Sequence, residues 1–318
     1  MKYKMVVNPD ALDDYLKKIH AIFPPDDLAG KNMDYDCIVN YYRKSSAGYK
    51  FFHSKKGVLH LALNYDGTFK KEGYYTHLRE IAGQMKASGV RSVLELGCGK
   101  GCNSVFLAQQ FPGVRFYGID ISDVNLNIAR QKSRRLVNAS FSYGDYHDLS
   151  FDACSFDMVF AIESLCYANN VNNLLAEVFR VLKNGGHVIL YDGFRESAFE
   201  TLPVNLKQAA ILTEKSMAVN NFKQIDSWLQ CARESGFTTD AVLNLSQAVL
   251  PNMCRHQYLA RGYFKYPVLS KFLLQILPRE MLLNAVAGLL MPFTVSNHAH
   301  GYYCIKLAKT RLKRGIPT

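Results

Sequence analysis

The chain has 318 residues, with 38 Lys+Arg against 27 Asp+Glu, a formal charge of +11, 48% hydrophobic residues and 20% charged ones. These are globular proportions, and they exclude a disordered, collagen-like or coiled-coil chain. The length suits one large domain or two modest ones, and the basic balance leaves nucleic acid, an anionic membrane surface or an acidic substrate as partner classes.

Four regions follow in chain order. Residues 1–70 read as a helical, aromatic N-terminal segment, tyrosine-rich from Tyr35 to Phe52. Its first ten residues lack the apolar run and cleavage site of a secretory signal. Residues 71–245 alternate strand and helix patterns. A helix is predicted from Lys71 to Ser88, then a strand from Ser92 to Leu96 ending in glycines, then a helix from Cys102 to Gln110. Strands are predicted at Arg115–Ile119, Ala139–Tyr143 and Phe156–Ile162, with a helix from Val124 to Leu136 between the first two. A helix from Val171 to Leu182 is stopped by Asn184-Gly185-Gly186, and a fifth strand runs from His187 to Asp192. Strands alternating with helices imply a parallel sheet covered on both faces. Ligands of such sheets bind beyond the carboxyl ends of the strands. Residues 246–298 are apolar with interspersed basic residues, and residues 299–318 hold a last strand at Gly301–Leu307 and a basic tail.

No uninterrupted apolar run reaches about 18 residues, so no spanning helix is expected. The nearest, Val268 to Phe293, is broken by Lys271, Gln275, Arg279 and Glu280. The eight cysteines form no CxxC pair. They read as reduced, mostly buried thiols of a cytosolic protein, and no metal site is expected.

The first strand runs into Glu95-Leu-Gly97-Cys-Gly99-Lys-Gly101 and then a helix. Glycines are needed where backbone turns tightly and approaches a ligand. A dinucleotide fingerprint would place its last glycine where Cys102 stands, and the acidic residue two before the first glycine also departs from that pattern. The motif resembles the first motif of class I S-adenosyl-L-methionine (SAM)-dependent methyltransferases. The resemblance implies an α/β, Rossmann-like fold, with Glu95, Gly97, Gly99 and Gly101 around the methionine part of SAM. It also implies S-adenosyl-L-homocysteine as the product left behind. Asp120, ending the second strand, matches the carboxylate for the ribose hydroxyls, although an aspartate there can also cap a helix. Ile121 would pack on the adenine, and Asn125 is a further ribose candidate. Asp145, with Tyr146 beside it, is similar to the adenine-amino contact; its plain alternative is a turn aspartate.

The run from Phe156 through Ile162-Glu163-Ser-Leu-Cys-Tyr167, followed by Glu177 to Gly186, is similar to the small-molecule branch of that superfamily. Within it the resemblance is to sterol C-methyltransferases and tocopherol- or quinone-directed enzymes. The Asn/Asp-Pro-Pro-Tyr/Phe signature of base and glutamine methylation is missing at Ala161–Ser164, which argues against nucleic acid. The resemblance implies methyl transfer to carbon, or oxygen, of an apolar or amphipathic acceptor such as a sterol, isoprenoid, prenyl-quinone or aromatic natural product. Alternatives are methylation of a small amine, of RNA or of protein, a noncatalytic scaffold of this fold, and a nicotinamide oxidoreductase.

Methyl transfer is an in-line displacement, so the protein mainly positions the acceptor and manages its proton. Glu163 is the candidate base, cation stabiliser or amino-group ligand, against a plain surface or capping role. Tyr167 is a candidate for the acceptor pocket, with Tyr191 and Asp192 behind it. Each of His53, His60, His77 and His147 reads first as a surface or packing residue; as an oxygen-acceptor base His60 is preferred among them, because its segment precedes the sheet where the resemblance implies a lid. The aromatic stretch of the sterol enzymes is not matched: Tyr41-Tyr42 to Tyr49 and Phe51-Phe52-His53 stand there instead.

From Val242 onward ten basic residues face one acid, Glu280, so nine of the eleven net charges lie there. Helices are expected at 268–277 and 280–291, separated by Pro278, as a lid over the acceptor. The plain reading of this part is a buried helical subdomain over the acceptor cleft of a cytoplasmic protein; the sharper alternative, from charge and apolarity together, is a lid in peripheral contact with an anionic membrane that admits a lipophilic acceptor. The tail from Lys309 to Arg314 reads as solvated.

Overall fold

Asn8 opens the first helix, α1 (Pro9–Ile22), by accepting the Ala11 amide at 2.9 Å. Pro9 costs nothing at the first position, where an amide would be orphaned anyway. Leu12, Tyr15, Leu16 and Ile19 then recur at helical spacing and are buried. The computed structural model describes residues 3–24, 32–54 and 56–310. The chain continues through α2 (Tyr35–Gly48), a π-helical turn (Tyr49–His53), a 3₁₀ turn (Lys71–Tyr75) and α3 (Thr76–Ser88). The single helix expected from Lys71 is therefore two pieces.

The sheet alternates with helices as the pattern predicts: β1 (Ser92–Leu96), α4 (Cys102–Gln110), β2 (Arg115–Asp120), α5 (Asp123–Ser133), β3 (Ala139–Tyr143), β4 (Phe156–Ile162), α6 (Val171–Val181) and β5 (Leu182–Arg195). Then come α7 (Val204–Ser216), α8 (Ile225–Glu234), β6 (Thr238–Asn244), α9 (Ser246–Phe264), α10 (Pro267–Ile276), α11 (Arg279–Ser296) and β7 (His300–Ala308). The seven strands are ordered β3-β2-β1-β4-β5-β7-β6. β1 pairs in parallel with both β2 and β4, and its five residues are all buried, as a strand covered on both faces must be. β3 and β5 extend the parallel part. β7 lies between β5 and the edge strand β6 and runs antiparallel to β5: the Gly185 amide, near the start of β5, bonds the carbonyl of Lys309, just past the end of β7, at 2.7 Å.

β5 starts earlier than the glycines suggested. Leu182 already pairs with Phe156, and the ladder shifts before His187 pairs with Met158. The residues between bulge outward, with Gly185 at φ +81°, and the amide of Gly185 and carbonyl of Gly186 bond to Lys309. Glycines expected to end an element instead allow a bulge within one.

The fold divides into two units. The sheet unit comprises Leu78–Asp192, Asp226–Leu243 and Tyr303–Thr318, of which residues 311–318, including most of the basic tail, lie outside the described residues. The helical unit comprises Met1–His77, Gly193–Ile225 and Asn244–Tyr302. Residues 193–225, expected inside the Rossmann-like core, thus group with the N-terminal and apolar C-terminal segments. The helical unit has its own core, in which Ile19, Leu206, Phe264, Val286 and Phe293 meet. One ion pair is buried in it. Arg195 holds both Glu214 oxygens at 2.8 and 2.7 Å, and His300 reaches one of them at 3.1 Å. Burial alone would raise the Glu214 carboxyl, but the bonds from His300 and Arg195 outweigh it and hold it below its ordinary value.

Candidate functional site

The carboxyl ends of β1 to β4 emerge along one edge of the sheet, because these strands are parallel and in register. Gly97, Gly99 and Gly101 follow β1 with φ of +67°, +51° and +69°. Only glycine adopts such angles without steric cost. At Gly97 space is also lacking: a Cβ there would lie 2.4 Å from the Ser164 Cβ. The loop is thus held against the end of β4.

Glu95 is buried, and its carboxylate turns back onto the start of α4. It accepts Asn103 Nδ2 at 2.9 Å, the Ser104 amide at 3.2 Å and the Ser104 hydroxyl at 2.5 Å. Burial pushes its pKa up to about 7, against the opposing pull of these bonds. This geometry makes Glu95 a positioning residue that fixes the loop-to-helix junction.

Asp120 receives the Gly99 amide on one carboxylate oxygen and the Ser122 amide on the other, each at 2.8 Å. Each oxygen keeps a further acceptor site. Burial raises this carboxyl. Ser122, not Asp120, caps α5, with the Asn125 amide at 3.4 Å from its hydroxyl. Ile121 is half-buried beside it and Asn125 is buried in the first turn. The Gly144 amide bonds the Asp120 carbonyl, bringing the end of β3 alongside. Asp145 Oδ1 accepts the His147 amide at 2.9 Å and faces its Nδ1 at 2.7 Å, while the Asn170 amide points at His147 Nε2. Those bonds fit the tautomer with the proton on Nδ1. The Tyr146 hydroxyl reaches the Ser164 carbonyl at 3.3 Å.

Glu163 directly follows β4 in the left-handed region, φ +52°, with its amide 2.8 Å from the Tyr191 carbonyl. A non-glycine residue there costs on the order of 1–3 kcal/mol and persists only where its surroundings enforce it, a pattern concentrated at active sites. Ser164, which the sequence reading did not single out, is the knot of this edge: its hydroxyl donates to the Leu96 carbonyl at 2.7 Å and its Cβ abuts Gly97. Its only signal in the sequence is its place directly after Glu163. Tyr167 follows on a 3₁₀ turn and is half-buried. Tyr191 is fully buried and donates to Glu80 at 2.7 Å, and Asp192 accepts the Cys166 amide at 3.0 Å.

His60 lies in the helical unit, buried, with Nδ1 3.0 Å from the Leu61 carbonyl and its ring on that of His77. Sequence reasoning missed a partner pair there. His53 donates from Nε2 to the His60 carbonyl at 2.8 Å and faces His256 Nε2 at 3.3 Å. Burial lowers the His53 pKa to about 3 and puts His256 well below its ordinary value. Both imidazoles are therefore neutral at physiological pH.

The loop chemistry discriminates between cofactors. The amides of Cys98, Gly99, Gly101 and Ser104 are all bonded within the protein, to Ile119, Asp120, Cys98 and Glu95. A pyrophosphate would find those donors taken and two carboxylates, Glu95 and Asp120, nearby. A cationic sulfonium with a ribose has the opposite needs, and Asp120 has acceptor capacity for it. The residues fit SAM. The fold and this edge define a Rossmann-like, SAM-dependent class I methyltransferase domain.

Comparison with known proteins agrees. Residues 93–186 match the methyltransferase domain family. The chain is 26% identical over 190 residues to 24-methylenesterol C-methyltransferase 2 of Oryza sativa subsp. japonica, covering 59% of this chain and 52% of that one. It is 26% identical over 209 residues to squalene methyltransferase 2 of Botryococcus braunii, covering 64% and 51%. The chain spans about half the length of these curated relatives. A crystal structure of a putative sarcosine dimethylglycine methyltransferase from Galdieria sulphuraria superimposes with a TM-score of 0.66 at 18% identity, covering 83% of this chain and 98% of that one. At that identity the likeness is one of fold. The chain carries a class I SAM-dependent methyltransferase domain and resembles the sterol methyltransferases.

Proposed function

We propose that the chain transfers a methyl group from SAM to carbon, or oxygen, of an apolar or amphipathic small molecule of the sterol, isoprenoid, prenyl-quinone or aromatic class. The observation that carries it is the glycine loop in which the amides of Cys98, Gly99 and Gly101 are committed internally while Asp120 keeps acceptor capacity. Sterol and squalene relatives support an apolar acceptor. Bound SAM supplies an activated sulfonium methyl. In this reading Asp120 and Asn125 hold the ribose, Ile121, Asp145 and Tyr146 hold the adenine, and the loop from Gly97 to Gly101 shapes the methionine site. Glu95 acts behind them by fixing the start of α4.

Glu163 and Tyr167 are proposed to act on the acceptor side of the same edge. A carboxylate with an aromatic neighbour suits either removal of a proton or stabilisation of a cation formed by methylating an alkene. His60, being buried with its Nδ1 against a carbonyl, is proposed as a support for its own unit. Among the described residues no helix is long and apolar enough to cross a membrane. Apolar acceptors partition into bilayers, so peripheral contact with an anionic membrane belongs to the same proposal. The test is incubation of the protein with labelled SAM and total lipid and metabolite extracts, with products identified by mass spectrometry. Label in an apolar product is expected. Label only in protein, nucleic acid or small amines would refute the acceptor class.

A further inference from the structure

Helix α10 carries apolar side chains on two faces. Leu273, Leu274 and the adjoining Leu277 pack against the core of the helical unit. Val268, Leu269, Phe272 and Ile276 do not: they are 85%, 53%, 55% and 59% exposed. At about 100° per residue these four share a stripe roughly 100° wide, turned away from the packed leucines. Of the 18 large apolar side chains exposed among the described residues, seven fall between Tyr258 and Ile276. Single exposed apolar residues are ordinary, whereas a stripe of them marks an interaction surface.

The helix cannot hide this stripe by rolling. Ser270, 1% exposed, donates to the carbonyls of Tyr263 and Tyr266 and pins the first turn. A roll would also bring Leu273 and Leu274 out. Along the chain from Tyr258 to Arg279 every charged residue is basic. Arg261, Lys265, Lys271 and Arg279 are all exposed, and the acid of this stretch, Glu280, lies 2.8 Å from Lys44.

Apolar side chains flanked along the chain by cations fit one environment well. The boundary of an anionic bilayer accepts the former among acyl chains and the latter among headgroups. We propose that α10 is a membrane-docking helix. It lies in the plane of an anionic bilayer surface, with Val268, Leu269, Phe272 and Ile276 inserted and Arg261, Lys265, Lys271 and Arg279 at headgroup level. A helix of ten residues offers a short footprint, so binding is reversible and depends on both contributions.

The proposal draws its purpose from the apolar-acceptor reading, but binding is measured without SAM or acceptor, so either can fail alone. The experiment is cosedimentation of the full chain with sucrose-loaded vesicles of phosphatidylcholine, with and without phosphatidylserine, at low and high salt. Binding is expected with phosphatidylserine at low salt and is expected to weaken at high salt. Phe272→Asp should lower the partition coefficient about tenfold or more, and Lys265→Glu with Lys271→Glu should remove the preference for phosphatidylserine. All three substitutions are on the surface, and an unchanged thermal transition in both variants confirms folding. Failure of the wild type to bind, or binding that Phe272→Asp leaves unchanged, overturns the proposal. So does a wild-type dimer in light scattering that Phe272→Asp converts to monomer without altering vesicle binding, which would assign the stripe to a second copy of the chain.

Discussion

Glu95→Gln isolates the device that fixes the glycine loop. In the native chain this carboxyl is fully buried and holds its proton up to about pH 7, against an ordinary value of 4.5, because burial disfavours its charge. The unfolded chain gives the proton up near the ordinary value. Between the two, the native state binds more protons than the unfolded state, so stability falls as pH rises. The full contribution is present below pH 4.5 and is lost as pH rises through about 7. The amount is on the order of 3 kcal/mol. Glutamine cannot ionise, so Glu95→Gln removes this slope. It also presents an amide nitrogen to one of its neighbours, Ser104 N–H or Asn103 Nδ2, and orphaning one such donor costs about 1–3 kcal/mol. Urea unfolding of both proteins from pH 4.5 to 8 reads the effect. The variant should be less stable at the acid end, and the gap should narrow steadily toward pH 8. A gap that stays constant across that range would refute the reasoning.

Other predictions concern the same edge and the helical core. Gly97→Ala meets both a left-handed φ and the Ser164 Cβ, and should cost roughly 2–4 kcal/mol in thermal or urea unfolding. Glu163→Gln should lower kcat by about 10²–10⁴ while leaving the affinity for S-adenosylhomocysteine unchanged, since the residue is read as acting on the acceptor. Arg195→Met leaves the buried Glu214 carboxylate without its guanidinium and should cost about 3–5 kcal/mol. Because the Glu214 carboxyl is held below 4.5, its contribution is present above that pH and is lost as pH falls through the lower folded value. Glu214→Gln should therefore flatten the acid limb of the stability curve.

The first three strands were legible because each short strand pattern is ended by a glycine or an aspartate, and β4 because it is an apolar run closed by Glu163; the same punctuation places the candidate residues at the strand ends. The helices at 267–276 and 279–296 were legible through their apolar content and Pro278 between them, although the second runs five residues beyond the expected Met291. The helical unit was not legible as a unit, because its cohesion is long-range. Gln257, polar and 0% exposed, accepts the Val6 amide at 3.0 Å and donates to its carbonyl at 2.8 Å. No local pattern announces such a pair. The same holds for His256 facing His53 and for Ser164 closing on Gly97, which depend on where separate elements meet. Gly185 misled for a different reason: a glycine at positive φ serves a bulge as well as a helix end.

The central claim is that the edge formed by Gly97, Gly99, Gly101 and Asp120 binds SAM. Isothermal titration of S-adenosylhomocysteine into the wild type and into Asp120→Ala tests it most directly. The wild type should bind with one site per chain. Asp120→Ala should lose about 1.5–3 kcal/mol, roughly tenfold to a hundredfold in affinity, for hydrogen bonds to a charged group. Absence of binding in the wild type, or equal affinity in the two proteins, would contradict it.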